Sequence, residues 1–164
     1  MNEFRSSVTL EELSEDNLGL LLEAAVADAD PLEVMAAVDG PPGWTSRRRW
    51  AFVEFHRGRA LHPSAPTERT FVIKVDGLAV GATRLQPHGA DVEAGIWIGR
   101  SYRHRGVGGI VAAQVRALAA GTGARRITAV TTSGNIAARR LIETGLMAPV
   151  HIEGDEVTGS SHLV

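Results

Sequence analysis

The residues with the most evident chemistry stand together at Gly99-Arg100-Ser101-Tyr102-Arg103-His104-Arg105-Gly106-Val107-Gly108-Gly109. A β-branched, tryptophan-containing run, Val92 to Ile98, leads into this stretch, and an Ala/Val-rich segment of helical period, Val107 to Ala120, leads out of it. The pattern predicts a strand-to-helix turn rich in arginine. Glycines at 106, 108 and 109 let another group approach the main-chain N–H groups, and the helix start adds unpaired donors and the positive end of its dipole. Such a turn is a seat for an anion, phosphate above all.

The elements that must hold this turn follow from the rest of the chain. At 164 residues it is long enough for one domain with a real core and too short for two ordinary ones, so residues 1–164 are read as a single domain. A net charge of −2 argues against a general nucleic-acid binder, and the absence of cysteine removes disulfides, thiol nucleophiles and Cys-type zinc sites. The six histidines do not cluster at metal spacing, and no metal is expected. The first thirty residues carry several acids and lack the form of a signal peptide, and no segment approaches the roughly 18 apolar residues of a membrane span. The expectation is a cytoplasmic protein with no membrane partner.

Val8 to Leu10 reads as a short strand, and Leu18, Leu21, Leu22, Ala25 and Val26 recur on one face of a helix from Ser14 to about Ala29. Asp30-Pro31-Leu32-Glu33 supplies a cap, a proline at the first helical position and an acid at the third, predicting a short helix to about Val38. Thr45 to Ala60 interleaves Arg47, Arg48, Arg49, Arg57 and Arg59 with Trp50, Phe52 and Phe55. Basic residues beside aromatics suit nucleic acid, but they equally describe an amphipathic helix with Trp50, Val53 and Phe52 inward and its arginines in water. The near-neutral chain favours the second reading. Thr70–Val75 and Leu78–Leu85 flank Asp76-Gly77, a hairpin signal; Gln86 to Ala90 turns the chain, and Asp91 to Ile98 adds a third strand. After the glycine turn and its helix come a strand at Arg126–Thr131, a cap at Ser133-Gly134-Asn135, a helix from Ile136 to Thr144 closed by Gly145, and two weaker strands near the end.

Two familiar phosphate loops do not fit the turn. A dinucleotide fingerprint needs glycine where Val111 stands and an acid about 20 residues on, and a Walker loop needs Gly-Lys-Ser/Thr. What is present is Arg103-x-x-Gly106-x-Gly108, which resembles the Gln/Arg-x-x-Gly-x-Gly/Ala signature of the GNAT superfamily of N-acetyltransferases. The likeness extends from about Phe71 to Leu146. Val92-Glu93-Ala94-Gly95-Ile96-Trp97-Ile98 is similar to the Glu-Ile-Gly-Tyr-Trp-Ile strand of the branch related to the Rim ribosomal-protein acetyltransferases. The run from Asn135 to Leu146 is similar to that branch's Asn-x-x-Ser/Ala-x-x-x-Leu-Glu-x-x-Gly-Phe helix, one residue shorter before the glycine.

The resemblance implies an α/β (α+β) GNAT fold: a mixed, mostly antiparallel sheet of about 6–7 strands with about 4–5 helices, splayed between the fourth and fifth strands. It implies acetyl-coenzyme A as cosubstrate, with the amides of His104, Arg105, Gly106, Val107, Gly108 and Gly109 on the pyrophosphate behind Arg103. Trp97 and Ile98 would pair with the pantetheine arm, Asn135 would hydrogen-bond near it, and Arg139 or Arg140 would approach a phosphate. Asn135 reads equally as a helix cap.

Transfer to an amine needs a neutral nucleophile, and an α-amino group of pKa near 8 is only about a tenth neutral at pH 7. A carboxylate that takes the proton removes that obstacle. Glu93 stands at the family's acidic position, and alternation sets it on the opposite face from Val92, Ala94 and Ile96. Many GNAT enzymes protonate the leaving thiolate with a Tyr seven residues after the asparagine, where this chain has Ile142; Tyr102 lies in the phosphate turn, which leaves Ser133 or water. His88 and His151 are candidates to border the acceptor pocket, and Asp28, Asp30, Asp39 and Glu54 to meet its cationic amine. The expected activity is direct acetyl transfer, in a ternary complex, to a protein N-terminus or a small-molecule amine by a monomer or homodimer. A non-catalytic acyl-coenzyme A binding module is the alternative.

Overall fold

Asp76 and Gly77 take positive φ angles of 50° and 83°, the left-handed pair that closes a two-residue hairpin, and the sheet grows outward from that turn. The computed structural model describes residues 7–62, 64, 66–132, 134–145 and 150–163. Its strands are β1 (Val8–Glu12), β2 (Arg69–Val75), β3 (Leu78–His88), β4 (Asp91–Ile98), β5 (Arg126–Thr132), β6 (Val150–Glu153) and β7 (Glu156–His162). They form one seven-stranded sheet in the order β1-β2-β3-β4-β5-β7-β6. Every neighbouring pair is antiparallel except β4 and β5. The helices are α1 (Glu15–Asp28), α2 (Pro31–Val34), α3 (Ser46–His56), α4 (Val107–Gly121) and α5 (Ile136–Arg140). The expected GNAT architecture is therefore present.

Strand alternation sorts the core into two layers. Ile73, Leu85, Val92, Ala94 and Ile98 face α4 and join its buried stripe of Val107, Val111, Val115 and Ala119. On the opposite face Val72 and Ala82 meet Leu18, Leu21 and Ala25 of α1 and Phe52 of α3. The second layer covers the sheet incompletely, and the uncovered part holds Thr70, Arg84 and Glu93.

Four local expectations change. α2 stops at Val34 because Met35 is extended, which lets Val34 and Met35 lie over the α1–α3 layer. β3 continues to His88, so the turn is Gly89-Ala90 alone and Gln86 comes to pair with Glu93. Phe52, not Trp50, is the inward aromatic of α3: Phe52 is fully buried and meets the Trp44 ring edge-on at 5.9 Å, whereas Trp50 is 67% exposed. The arginines of α3 are also not uniformly in water. Arg48 donates to the carbonyls of Val38 (2.8 Å), Gly40 (3.2 Å), Gly43 (2.7 Å) and Pro41, gathering the loop between α2 and α3 around one guanidinium. A wider helical turn, Arg57–Leu61, continues α3, and another, Leu141–Gly145, continues α5.

Burial separates the two aromatic positions energetically. Phe52→Ala is expected to destabilise the protein by about 3–5 kcal/mol in urea unfolding, while Trp50→Ala stays within about 0.5 kcal/mol of the parent.

Candidate active site

The parallel β4–β5 pairing lasts for three register positions, Asp91↔Arg126, Val92↔Ile127 and Glu93↔Thr128, and then stops although β4 runs on to Ile98 and β5 to Thr132. The strands part at the residue read as a candidate base. A cleft of about 270 Å3 lies at this end of the sheet. It is lined by Trp97, Ile98, Arg103, His104, Gly106, Gly108, Gly109 and Asn135, so one opening gathers most of the residues assigned to the cofactor. Arg105, Val107 and Arg139 are not in its lining: the Arg105 guanidinium lies 5.7 Å from the Tyr102 ring centre, Val107 is buried in the core, and Arg139 pairs with Glu143 at 3.1 Å. Arg140 lines the cleft instead.

The turn is built as an N–H cradle. His104 takes a φ of 61° and Gly106 one of 83°, and α4 starts at Val107, so the first amides of the helix face out of the turn without carbonyl partners inside the helix. A Cβ on Gly108 would lie 2.5 Å from Leu141 Cδ2, so a larger residue here would have to displace the Leu141 side chain in the turn that follows α5. Main-chain donors, an absent side chain and a helix start suit a pyrophosphate. Arg103 serves the cradle from behind: it donates to the Ile98 carbonyl at 2.8 Å and pairs with Glu33 of α2 at 2.7 Å. Burial pushes the Glu33 carboxyl up, but the Asp30 N–H and the Arg103 and Arg100 guanidiniums outweigh it and hold the carboxyl below its ordinary value. Asn135 accepts from the Ala138 N–H at 3.1 Å, so it does cap α5 while also lining the cleft.

A second cavity, of about 580 Å3, shares Glu33, Ile96, Trp97, Asn135 and Ala138 with the first as lining. It lies on the uncovered part of the α1–α3 face. Glu93, three-quarters buried, points here; its Oε1 is 3.3 Å from Arg84 and its Oε2 3.7 Å from His88 Nε2. Arg84 also pairs at 3.3 Å with Glu68, whose side chain is fully buried. The Arg84 side chain crosses the sheet directly over Gly95, its register partner, where a Cβ would lie 2.9 Å from Arg84 Nε. His56 and Thr70 complete the far end of the cavity.

His88 borders this cavity as expected, and His151 does not. The acids proposed to meet the amine have other duties. Asp28 accepts from the Ser101 N–H and hydroxyl at 2.9 and 2.8 Å, Asp30 caps α2, Glu54 pairs with Arg57, and Asp39 is exposed. Ile142, at the position of the missing tyrosine, is buried in the α4 layer. Ser133 lies outside the described residues. Arg84, Glu68 and His56 were not singled out from the sequence. A mid-strand arginine whose neighbours alternate inward was the available sign for Arg84, and the Phe52-to-His56 spacing on one helix face for His56.

Residues 7–145 match the acetyltransferase (GNAT) domain family. No curated protein sequence matches the chain. Among solved structures, the ribosomal L7/L12 α-N-protein acetyltransferase RimL in complex with coenzyme A matches with a TM-score of 0.71, at 15% identity over 95% of this chain and 94% of that one. The GNAT domain of S. lividans PAT gives 0.71 at 12% identity over 99% of each chain. A Vibrio cholerae spermidine N-acetyltransferase in complex with CoA and spermine gives 0.69 at 15% identity over 95% of each. The chain belongs to the GNAT acetyltransferase family. It is an N-acetyltransferase, and acetyl-coenzyme A is its cosubstrate.

Burial, with help from the Arg84 charge, lowers the His56 imidazole from 6.5 to about 4. The unfolded chain therefore takes this proton at a higher pH than the folded one, and stability falls as pH drops from about 6.5 towards 4. The loss should reach about 3 kcal/mol by pH 4. Urea unfolding across that range is expected to show a shallower fall for His56→Gln than for the parent.

Proposed function

We propose that the protein transfers an acetyl group from acetyl-coenzyme A directly to a primary amine seated in the larger cavity, with Glu93 as proton acceptor. The observation that carries this reading is the adjacency of the two cavities, which share Ile96, Trp97 and Asn135 as lining, with the N–H cradle in one and Glu93 in the other. Acetyl-coenzyme A brings a thioester carbonyl as electrophile. In this reading the amides from His104 to Gly109 hold the pyrophosphate, and the edge of β4 freed beyond Glu93 pairs with the pantetheine arm. Arg103 keeps the cradle in place, and Arg140, from α5, lies nearest the phosphates.

The acceptor nitrogen must lose a proton as its bond to the acetyl carbon forms and the carbon–sulfur bond breaks. Arg84 donates to Glu93 Oε1 at 3.3 Å, while Oε2 has only the longer 3.7 Å approach of His88 Nε2, so in this reading Oε2 takes that proton, directly or through one water. The thiolate takes its proton from Ser133 or from water, since Ile142 offers none. Ile96, Trp97 and Ala138 supply apolar surface where the two cavities share their lining, beside Glu33 and Asn135. RimL acts on a protein α-amino group, and the Vibrio enzyme is a spermidine acetyltransferase. Both are primary amines, and both kinds of acceptor belong to the reading at this level. Among the described residues no helix is long and apolar enough to cross a membrane. A cytoplasmic monomer or homodimer without a nucleic-acid partner completes the proposal.

Isothermal titration is expected to show acetyl-coenzyme A binding at micromolar concentrations, and its absence at high micromolar levels would overturn the reading. Glu93→Gln should lower kcat by about 100-fold or more while the cosubstrate Kd stays within about twofold. Unchanged turnover across the pH range would remove Glu93 from the reaction. Binding without thiol release over a broad amine panel would mark a non-catalytic acyl-coenzyme A module instead.

A further inference from the structure

The far end of the acceptor cavity contains two polar side chains that the transfer chemistry does not use. His56 is 4% exposed and Thr70 is 2% exposed, and both line the cavity. Among the described residues, neither ring nitrogen of His56 nor the Thr70 hydroxyl has a hydrogen-bonding partner. Buried polar atoms are nearly always paired, so two unpaired groups at one end of a cavity point to something that enters it.

The charges around them narrow what that is. Two carboxylates line the cavity, and both are engaged: Glu33 by Arg103 and Arg100, and Glu93 by Arg84. Glu68, which is not in the lining, meets Arg84 and, at 3.9 Å, Arg59 through Oε2. His56 is neutral at physiological pH, and a neutral imidazole offers one donor and one acceptor, as a hydroxyl does. A second ammonium could only donate, and it would sit close to Arg84. A carboxylate could only accept, from the imidazole N–H and the Thr70 hydroxyl, and would leave the other ring nitrogen without a donor. A hydroxyl or an amide does both. Thr70 is in register with Arg84, and Arg84 with Gly95, so Thr70 stands two strands from β4, on the order of 10 Å from the strand that carries Glu93. The group read at this end is therefore remote from the reacting amine.

We infer that His56 and Thr70 form a recognition subsite for a neutral hydroxyl or amide group, so that the enzyme's acceptor is a monoamine bearing such a group and not a polyamine. This rests on the acetyl-transfer reading above and specifies its acceptor.

The test is a thiol-release assay with acetyl-coenzyme A and four amines: glucosamine, glycylglycinamide, hexylamine and spermidine. Glucosamine or glycylglycinamide is expected to exceed hexylamine and spermidine in kcat/KM by about tenfold, and which of the two leads separates hydroxyl from amide recognition. His56→Phe and the near-isosteric Thr70→Val should each raise KM for the preferred acceptor by about tenfold, with kcat and the hexylamine KM little changed, and Thr70→Ser should restore the parent value. Spermidine as best acceptor, or equal KM changes for hexylamine, would overturn the subsite. Binding is followed separately by the His56 ring resonances in NMR. These should move with glucosamine or glycylglycinamide and not with hexylamine, whether or not thiol is released. Ring shifts without thiol release would leave the subsite standing and sink the transfer reading; thiol release without ring shifts would do the reverse.

Discussion

The structure depends on a pairing that stops. Parallel strands β4 and β5 share a register only as far as Glu93 and Thr128, and then diverge. A sheet that stayed zipped to Ile98 would satisfy more backbone groups, but it would leave no opening between its two faces. The divergence is affordable because each strand is secured on its other side: β4 by its register with β3 from His88 back to Gly81, and β5 by a full register with β7. The unpaired main-chain groups are the material of the cleft, since buried N–H and C=O groups need partners and an extended pantetheine arm can supply them.

Arg84 plays the matching part on the acceptor side. An arginine in a central strand, facing a protein layer, has to be neutralised, and here Glu68 and Glu93 do so from opposite sides while Arg59 adds a longer contact to Glu68. The guanidinium needs room to lie flat, and Gly95 provides it. The same charge helps to keep His56 neutral. One side chain thus adds to the burial that keeps a neighbour neutral, engages one oxygen of the candidate base and forms part of the cavity wall.

How much of this was legible follows from what kind of interaction wrote it. The strand-turn-helix, the two-residue hairpin and the α4 stripe are local, and each could be placed from spacing alone. The splay came from the family resemblance. The face that Glu93 takes, lining the larger cavity, was legible from strand alternation, while its choice as candidate base came from the family resemblance. Arg84, Glu68 and His56 were not, because their meaning arises from residues brought together across β2, β3, β4 and α3. Trp50 differs for a related reason: hydrophobicity ranks tryptophan with phenylalanine, whereas the face of α3 that meets α1 is fixed by tertiary packing, which buries Phe52 and leaves Trp50 exposed. The early end of α2 follows the same pattern, since its capping box specifies where a helix begins and tertiary packing decides where it stops.

The Glu33 carboxylate joins the phosphate turn, through Arg103 and Arg100, to α2, which forms part of the acceptor wall. One acid on a four-residue helix therefore braces the start of one opening and a wall of the other, a single strut shared by two cavities.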